Sequence, residues 1–167
     1  MRIVKALGLA ALFLAVPASV TAAEPWDPGG ALDACLTAAT RERQGIVTAW
    51  RQAGGGERPP YAVSVLNVEG KIAEAFCDPA NMSALEFKDK GGLYRYEMYQ
   101  RAKIQETQAR AFAPTMFVGP VRLFAMDYAV SFTGKPYYTY QMFLPSGHKA
   151  TVEIDGTVGR LNKAEIK

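Results

Sequence analysis

Tyr137-Tyr138-Thr139-Tyr140-Gln141-Met142-Phe143-Leu144, then Pro145-Ser146-Gly147-His148, then Lys149-Ala150-Thr151-Val152-Glu153-Ile154-Asp155 is the stretch from which a fold can be read. β-Branched and aromatic residues fill both runs, and a Pro-Ser-Gly turn separates them, which is the pattern of an antiparallel hairpin. The second run alternates cleanly. Ala150, Val152 and Ile154 point one way, and Lys149, Thr151 and Glu153 the other. A strand of that period covers a core with one face and leaves the other to solvent. Further strands flank the hairpin: one from Val118 or Val121 to Phe132, turning at Thr133-Gly134-Lys135-Pro136, and an edge strand within Gly159 to Ile166.

The same grammar occurs earlier in the chain. Tyr61 to Val68 reads as a strand, Glu69-Gly70 as a turn, and Lys71 to Cys77 as the return strand, ended by Asp78-Pro79. Leu85 to Lys88 adds a short strand. Tyr61 to Lys90 lies over Tyr138 to Lys167 without a gap, matching Tyr61 with Tyr138, Gly70 with Gly147, Ala73 with Ala150 and Asp78 with Asp155. Two unrelated hairpins with ordinary turn chemistry would give some of these matches; the placement of each turn Gly and strand-end Asp favours an internal repeat. A helix is expected ahead of each hairpin. Leu32, Cys35, Leu36, Ala39, Ile46, Val47 and Trp50 share one face at helical spacing, with a stop at Gly54-Gly55-Gly56. The second helix runs from about Leu93 to Ala113, with Glu97–Arg101 and Glu106–Arg110 at the favourable i,i+4 spacing and Pro114 at its end.

The first residues read as an export signal. Arg2 and Lys5 precede an apolar run from Ala6 to Val16, Pro17 breaks it, and Val20-Thr21-Ala22-Ala23 offers small residues for cleavage. The run is shorter than the roughly 20 residues that span a bilayer. The expected organisation is therefore a signal peptide over 1–23, a first unit over 24–90 and a second over 91–167, with no integral membrane span once the signal is removed. The full chain carries a formal charge of +3; without Arg2 and Lys5, 17 basic residues face 16 acidic ones. No basic field remains to argue for nucleic acid. In an exported chain the two cysteines, Cys35 and Cys77, suggest one disulfide, the alternative being two buried thiols.

The hairpin residues resemble the PepSY domain, a helix-plus-antiparallel-sheet module of exported bacterial proteins. The likeness rests on Tyr138-Thr139-Tyr140-Gln141-Met142, Ser146-Gly147-His148-Lys149, Val152-Glu153-Ile154-Asp155, Gly159 and Leu161, and in the first copy on Tyr61, Gly70-Lys71 and Asp78. The first copy departs at Met82, where the family has Gly, and at Cys77, where it has an apolar residue. The resemblance implies an α+β fold of two helix-on-antiparallel-sheet (PepSY/cystatin-like) units in tandem. It also implies a non-enzymatic periplasmic or secreted module, of a kind found in inhibitory propeptides of metallopeptidases, some tandem members being metal-ion binders.

Catalytic patterns are sparse. His148 is the sole histidine and Ser146 stands two residues away on the same tight turn, too close for a base-activated nucleophile with an oriented third group. No G-x-S-x-G, H-E-x-x-H or P-loop is present, and no cofactor is expected. Asp78 and Asp155 stand at strand ends, where an Asp accepts from the amides of the following turn. Their alternative use, with Glu153, is as ligands of a hard cation, which wants roughly six to eight oxygens. Aromatic residues are the richer feature. Tyr128, Tyr137, Tyr138, Tyr140 and Phe143 put rings on both sides of the hairpin strand, and one helix covers a single face. They form the expected docking surface for a protein or peptide partner. The reading is a binding module that regulates or inhibits a peptidase or docks to an envelope protein, against alternatives of periplasmic metal binding or a structural role in an envelope complex.

Overall fold

The computed structural model describes residues 30–54, 60–81 and 85–167. The expected signal segment, Gly55, Gly56 and Met82 lie outside the described residues. Both expected hairpins form. β2 (Tyr61–Asn67) pairs with β3 (Ile72–Cys77), and β6 (Pro136–Phe143) with β7 (Lys149–Asp155), in registers that set Tyr61 opposite Cys77 and Tyr138 opposite Ile154. β4 (Phe87–Gly91) and β8 (Leu161–Ile166) are the edges, and β5 (Arg122–Val130) precedes β6.

The strand that was not expected is β1 (Gly45–Gln52). Helical spacing carries the apolar positions smoothly from Leu32 to Trp50, but the chain leaves α1 (Ala31–Arg43) at Gln44, which takes a left-handed conformation with φ 48°. Ile46, Val47 and Thr48 are β-branched and suit a pleated surface better than a helix. Gly45 makes the switch feasible: a Cβ there would sit 2.3 Å from the Leu66 carbonyl oxygen. β1 then pairs with β2 on one side and β5 on the other, giving one antiparallel sheet of order β4-β3-β2-β1-β5-β6-β7-β8. The expected fold of two helix-on-sheet units in tandem is thereby overturned. All eight strands belong to a single sheet, with a few short helices laid on it.

The second expected helix is also shorter than its pattern. It breaks into α2 (Tyr96–Tyr99) and α3 (Glu106–Phe112), continued by a 3-10 turn over Ala113–Met116. Between them the amides of Lys103 and Ile104 both donate to the Gly156 carbonyl, at 2.8 and 3.0 Å, tethering the segment to the turn after β7 instead of to a helix. Glu97 accordingly pairs with Arg95 rather than Arg101, whereas the Glu106–Arg110 pair forms.

Leu32, Cys35, Leu36 and Ala39 of α1 bury against one face of the sheet with Tyr61, Val63 and Val65, and the same apolar cluster continues through Trp50 and Met126 to Tyr140, Val152 and Ile154. Among the described residues no helix is long and apolar enough to cross a membrane. Cys35 and Cys77 form a disulfide, with Cα atoms 5.8 Å apart, that fastens α1 to the end of β3. Closing a loop across 42 residues contributes about 4 kcal/mol in the chain-entropy account. Urea denaturation of the Cys35→Ser/Cys77→Ser variant should show a loss of that order, with the oxidised and reduced wild type bracketing it.

Candidate functional site

The centre of the sheet is its most thinly paired joint. β1 and β5 meet in register at Ala49↔Asp127, Trp50↔Met126 and Arg51↔Ala125, while β6 and β7 match from Tyr137↔Asp155 through Phe143↔Lys149. Side chains reinforce this seam. Arg122 Nη2 donates to Gln52 Oε1 across it at 2.6 Å. On the helix side, Trp50 Nε1 donates to Glu106 Oε1 at 3.0 Å, and the Tyr140 hydroxyl donates to the Glu106 carbonyl at 3.0 Å. Arg110 lies between Asp33 of α1, reached by Nη2, and Glu106, whose Oε1 is 3.4 Å from its Nε. The Arg110 side chain is 7% exposed and that of Glu106 14%, so this is a mostly desolvated ion pair. The neighbouring hydroxyls are spent on backbone: Tyr138 donates to the Ile104 carbonyl and Tyr128 to that of Tyr99.

Two adjoining clefts open above this network, between α1 and the α2–α3 segment. Their volumes are about 470 and 600 Å³. They share Thr40, Val47, Gln105 and Glu106 as lining, so they form one groove along the seam. Leu36 and Asp33 line one end, and Ile104, Tyr99 and Tyr138 the other.

Among the described residues no helix lies on the opposite face of the sheet. Phe124 and Phe143 pack there as a tilted pair with centroids 4.5 Å apart, and Lys149 Nζ lies 5.7 and 5.5 Å from their ring centroids. Beside them a depression of about 380 Å³ follows the seam, lined by Arg51, Ser64, Phe124, Asp127 and Gln141 among others. Glu74 bridges two cations on this face, Arg51 at 3.1 Å and Lys90 at 2.9 Å.

The aromatic residues expected to form one docking surface are divided between the two faces. Tyr128, Tyr138 and Tyr140 are 4, 5 and 0% exposed and belong to the core beneath the helices; that part of the expectation is corrected. They face inward because Tyr138 and Tyr140 share parity with Met142 on β6 and Tyr128 stands opposite Tyr138 on β5, and the helix layer covers that side. Tyr137 is half-buried and Phe143 is 36% exposed; both lie on the bare face. The metal candidates do not converge. Asp155 Oδ1 accepts from the amides of Thr157 and Val158, at 2.7 and 3.1 Å. Partial burial acts to raise its carboxyl, but these amides outweigh it and hold it below the ordinary carboxylate range. Asp78 Oδ1 accepts from Ala80 N, and Glu153 from Asn162 Nδ2. Among the described residues no group of three or more His, Cys, Asp or Glu is placed to hold a metal ion.

No protein family matches this sequence, and no curated protein does. The PepSY resemblance therefore rests on the quoted residues alone. Among solved structures the chain is similar to a "putative lipoprotein" of Clostridium difficile 630, at 12% identity and a TM-score of 0.51, across 81% of this chain and 91% of that one. At that identity the likeness speaks for the fold and nothing further.

The residues that sequence reasoning missed are those of the seam. Glu106 and Arg110 look like a surface pair, and Arg51 like the polar side of a helix. The available signal was the company of Glu106–Arg110: Ala109, Phe112 and Ala113 interleave with it, which marks a helix face turned toward a core. Burial raises the Glu106 carboxyl above the ordinary 4.5, against the pull of Arg110 and the Trp50 indole. The folded protein thus keeps this proton to higher pH than the unfolded chain, so the stability it contributes is complete at low pH and falls as pH rises through the folded value. In urea titrations over a pH series, Glu106→Gln should gain on the wild type as pH increases above about 4.5. Arg110→Ala, which strands Glu106 without its cation, should instead cost about 3–5 kcal/mol at neutral pH.

Proposed function

We propose that this chain is an exported, non-enzymatic binding module that receives a protein or peptide partner on the bare face of its sheet. One observation carries the reading: the helices among the described residues cover one side of an eight-stranded sheet, and its other side presents paired phenylalanines beside alternating charges. Aromatic rings flanked by Arg, Lys and carboxylates match the composition of protein interfaces, where apolar anchors sit within a polar rim. Lys149 caps the two rings and keeps the cluster soluble while unbound.

Export to the periplasm or beyond is supported by the signal-like first residues, by the Cys35–Cys77 disulfide, and by the lipoprotein description of the structural neighbour. The narrower form of the reading, restraint of a peptidase or docking to an envelope protein, is supported by the PepSY resemblance. Metal binding is the weaker reading, because Asp78, Asp155 and Glu153 are engaged in turn and edge hydrogen bonds.

The test is photo-crosslinking in the native envelope from a probe at Gln141 or Thr139, with the adduct identified by mass spectrometry. The double variant Phe124→Asp/Phe143→Asp should lose the adduct, weaken binding to the identified partner at least about tenfold, and keep its melting temperature. An adduct that survives the double variant, or that forms equally from the helix-covered side, overturns the assignment of this face.

A further inference from the structure

We propose that a second copy of this chain adds to the outer edge of β8, strand against antiparallel strand, so that the two sheets run on as one across a twofold axis at Ala164. The inference concerns a different surface from the bare sheet face and does not depend on it. β8 (Leu161–Ile166) ends the sheet order on one side, and among the described residues it pairs with β7 alone. All 6 of its residues are exposed.

The backbone of β8 leaves a row of hydrogen-bonding groups on its open side. Lys149 and Lys167 exchange both bonds, N–H to carbonyl in each direction, at 3.1 and 2.8 Å. In an antiparallel ladder such pairs alternate with pairs that exchange none. The bonds to β7 therefore fall on Lys167, Glu165 and Lys163, and Ala164 and Ile166 turn their N–H and C=O groups outward. An edge of this kind accepts another strand unless its side chains prevent it.

The side chains choose the occupant. Lys163 and Glu165 share the face of Glu153 and Thr151, while Ala164 and Ile166 share that of Val152 and Ala150. When a second β8 lies antiparallel with Ala164 opposite Ala164, Lys163 of each copy stands opposite Glu165 of the other. The ion pair that Lys163 and Glu165 form along the strand, at 2.7 Å, then closes into a ring of alternating charges. Centring the pair on Lys163 or on Glu165 instead sets that residue against its own copy, and like charges directly opposite are destabilising. Ala164 at the axis is small enough for close approach. On the helix side Leu161 and Ile166, 40 and 61% exposed, gain cover from the second copy. The other edge, β4, cannot do the same. Centred on Asp89 it sets Asp89 against Asp89 and Lys88 against Lys90, and centred on either lysine it sets that lysine against itself. One self-complementary edge and one self-repelling edge give a closed dimer and not a fibre.

Sedimentation velocity over a concentration series tests this. The wild type should pass from monomer to dimer below about 1 mM, and less readily at high salt. Lys163→Glu and Glu165→Lys should each weaken the dimer at least about tenfold. An equimolar mixture of these two variants should dimerise again, because one edge is then acidic and the other basic. Ala164→Pro removes an outward N–H and no bond to β7, a position where an edge strand tolerates proline; it should abolish the dimer while the circular dichroism of the fold is kept. Should the proline disturb the fold, the two charge variants and their mixture decide alone. A wild type that stays monomeric throughout, a dimer indifferent to both charge variants, a dimer that persists in folded Ala164→Pro, or charge variants that remain apart when mixed would each overturn the proposal.

Discussion

A guanidinium held between two carboxylates ties this molecule together. Arg110 reaches Asp33 on α1 and Glu106 on its own helix, and Glu106 in turn holds the Trp50 indole of β1 and sits against Tyr140 of β6. Elements from both ends of the chain thus meet at one polar cluster, directly above the joint where β1 and β5 share the fewest register pairs. Two charges withdrawn from water impose a penalty of several kcal/mol each unless their remaining donors and acceptors are matched. That requirement makes the cluster specific. It is satisfied only when α1, α3, β1 and β6 are all in place, so the seam is defined by geometry that few alternative packings reproduce.

The dimensions of the sheet explain why both candidate surfaces lie on this seam. Eight strands at about 4.8 Å spacing span about 34 Å, whereas two helical layers of about 10 Å each cover little more than half of that width. α1 packs over β2, and α3 lies over β6. α1 also touches β1 and α2 touches β5, and the groove runs where α1 and the α2–α3 segment stand apart above these strands. On the reverse side no helix of the described residues lies over the sheet, and the same strands place Arg51, Asp127 and Phe124 along a depression there. The groove and the bare face are therefore two consequences of one fact: among the described residues there is too little helix to enclose so wide a sheet.

Much of this was legible in the sequence because hairpins announce themselves locally. Turn residues at Gly70 and Gly147, where φ is 78° and 84°, and strict alternation along Lys149–Asp155 fix strands, pairing and inward faces without any long-range information. The disulfide partners were readable from their number, and Asp155 as a turn acceptor from its place at a strand end. β1 was not legible. Leu32 through Trp50 satisfies a helical period, and the break depends on a contact between Gly45 and Leu66 that no local pattern encodes. Missing β1 meant missing the seam, and with it the single sheet.

The aromatic assignments failed for a different reason, which bears on how any such surface should be read. Phe124 and Tyr128 have the same parity, so simple alternation puts them on one face. The chain has a bulge between Leu123 and Ala125, and an extra residue in one strand inverts the facing of everything on its far side. Tyr128 consequently joins Tyr138 in the core, their rings stacked with centroids 4.7 Å apart, while Phe124 crosses to Phe143 on the bare side. A matching irregularity between Val47 and Ala49 of β1 turns Arg51 outward and Trp50 inward. Bulges on β1 and on β5, next to the weakest pairing in the sheet, thus decide which rings build the core and which are left to meet a partner. Composition supplies the aromatics; two single-residue slips in register distribute them.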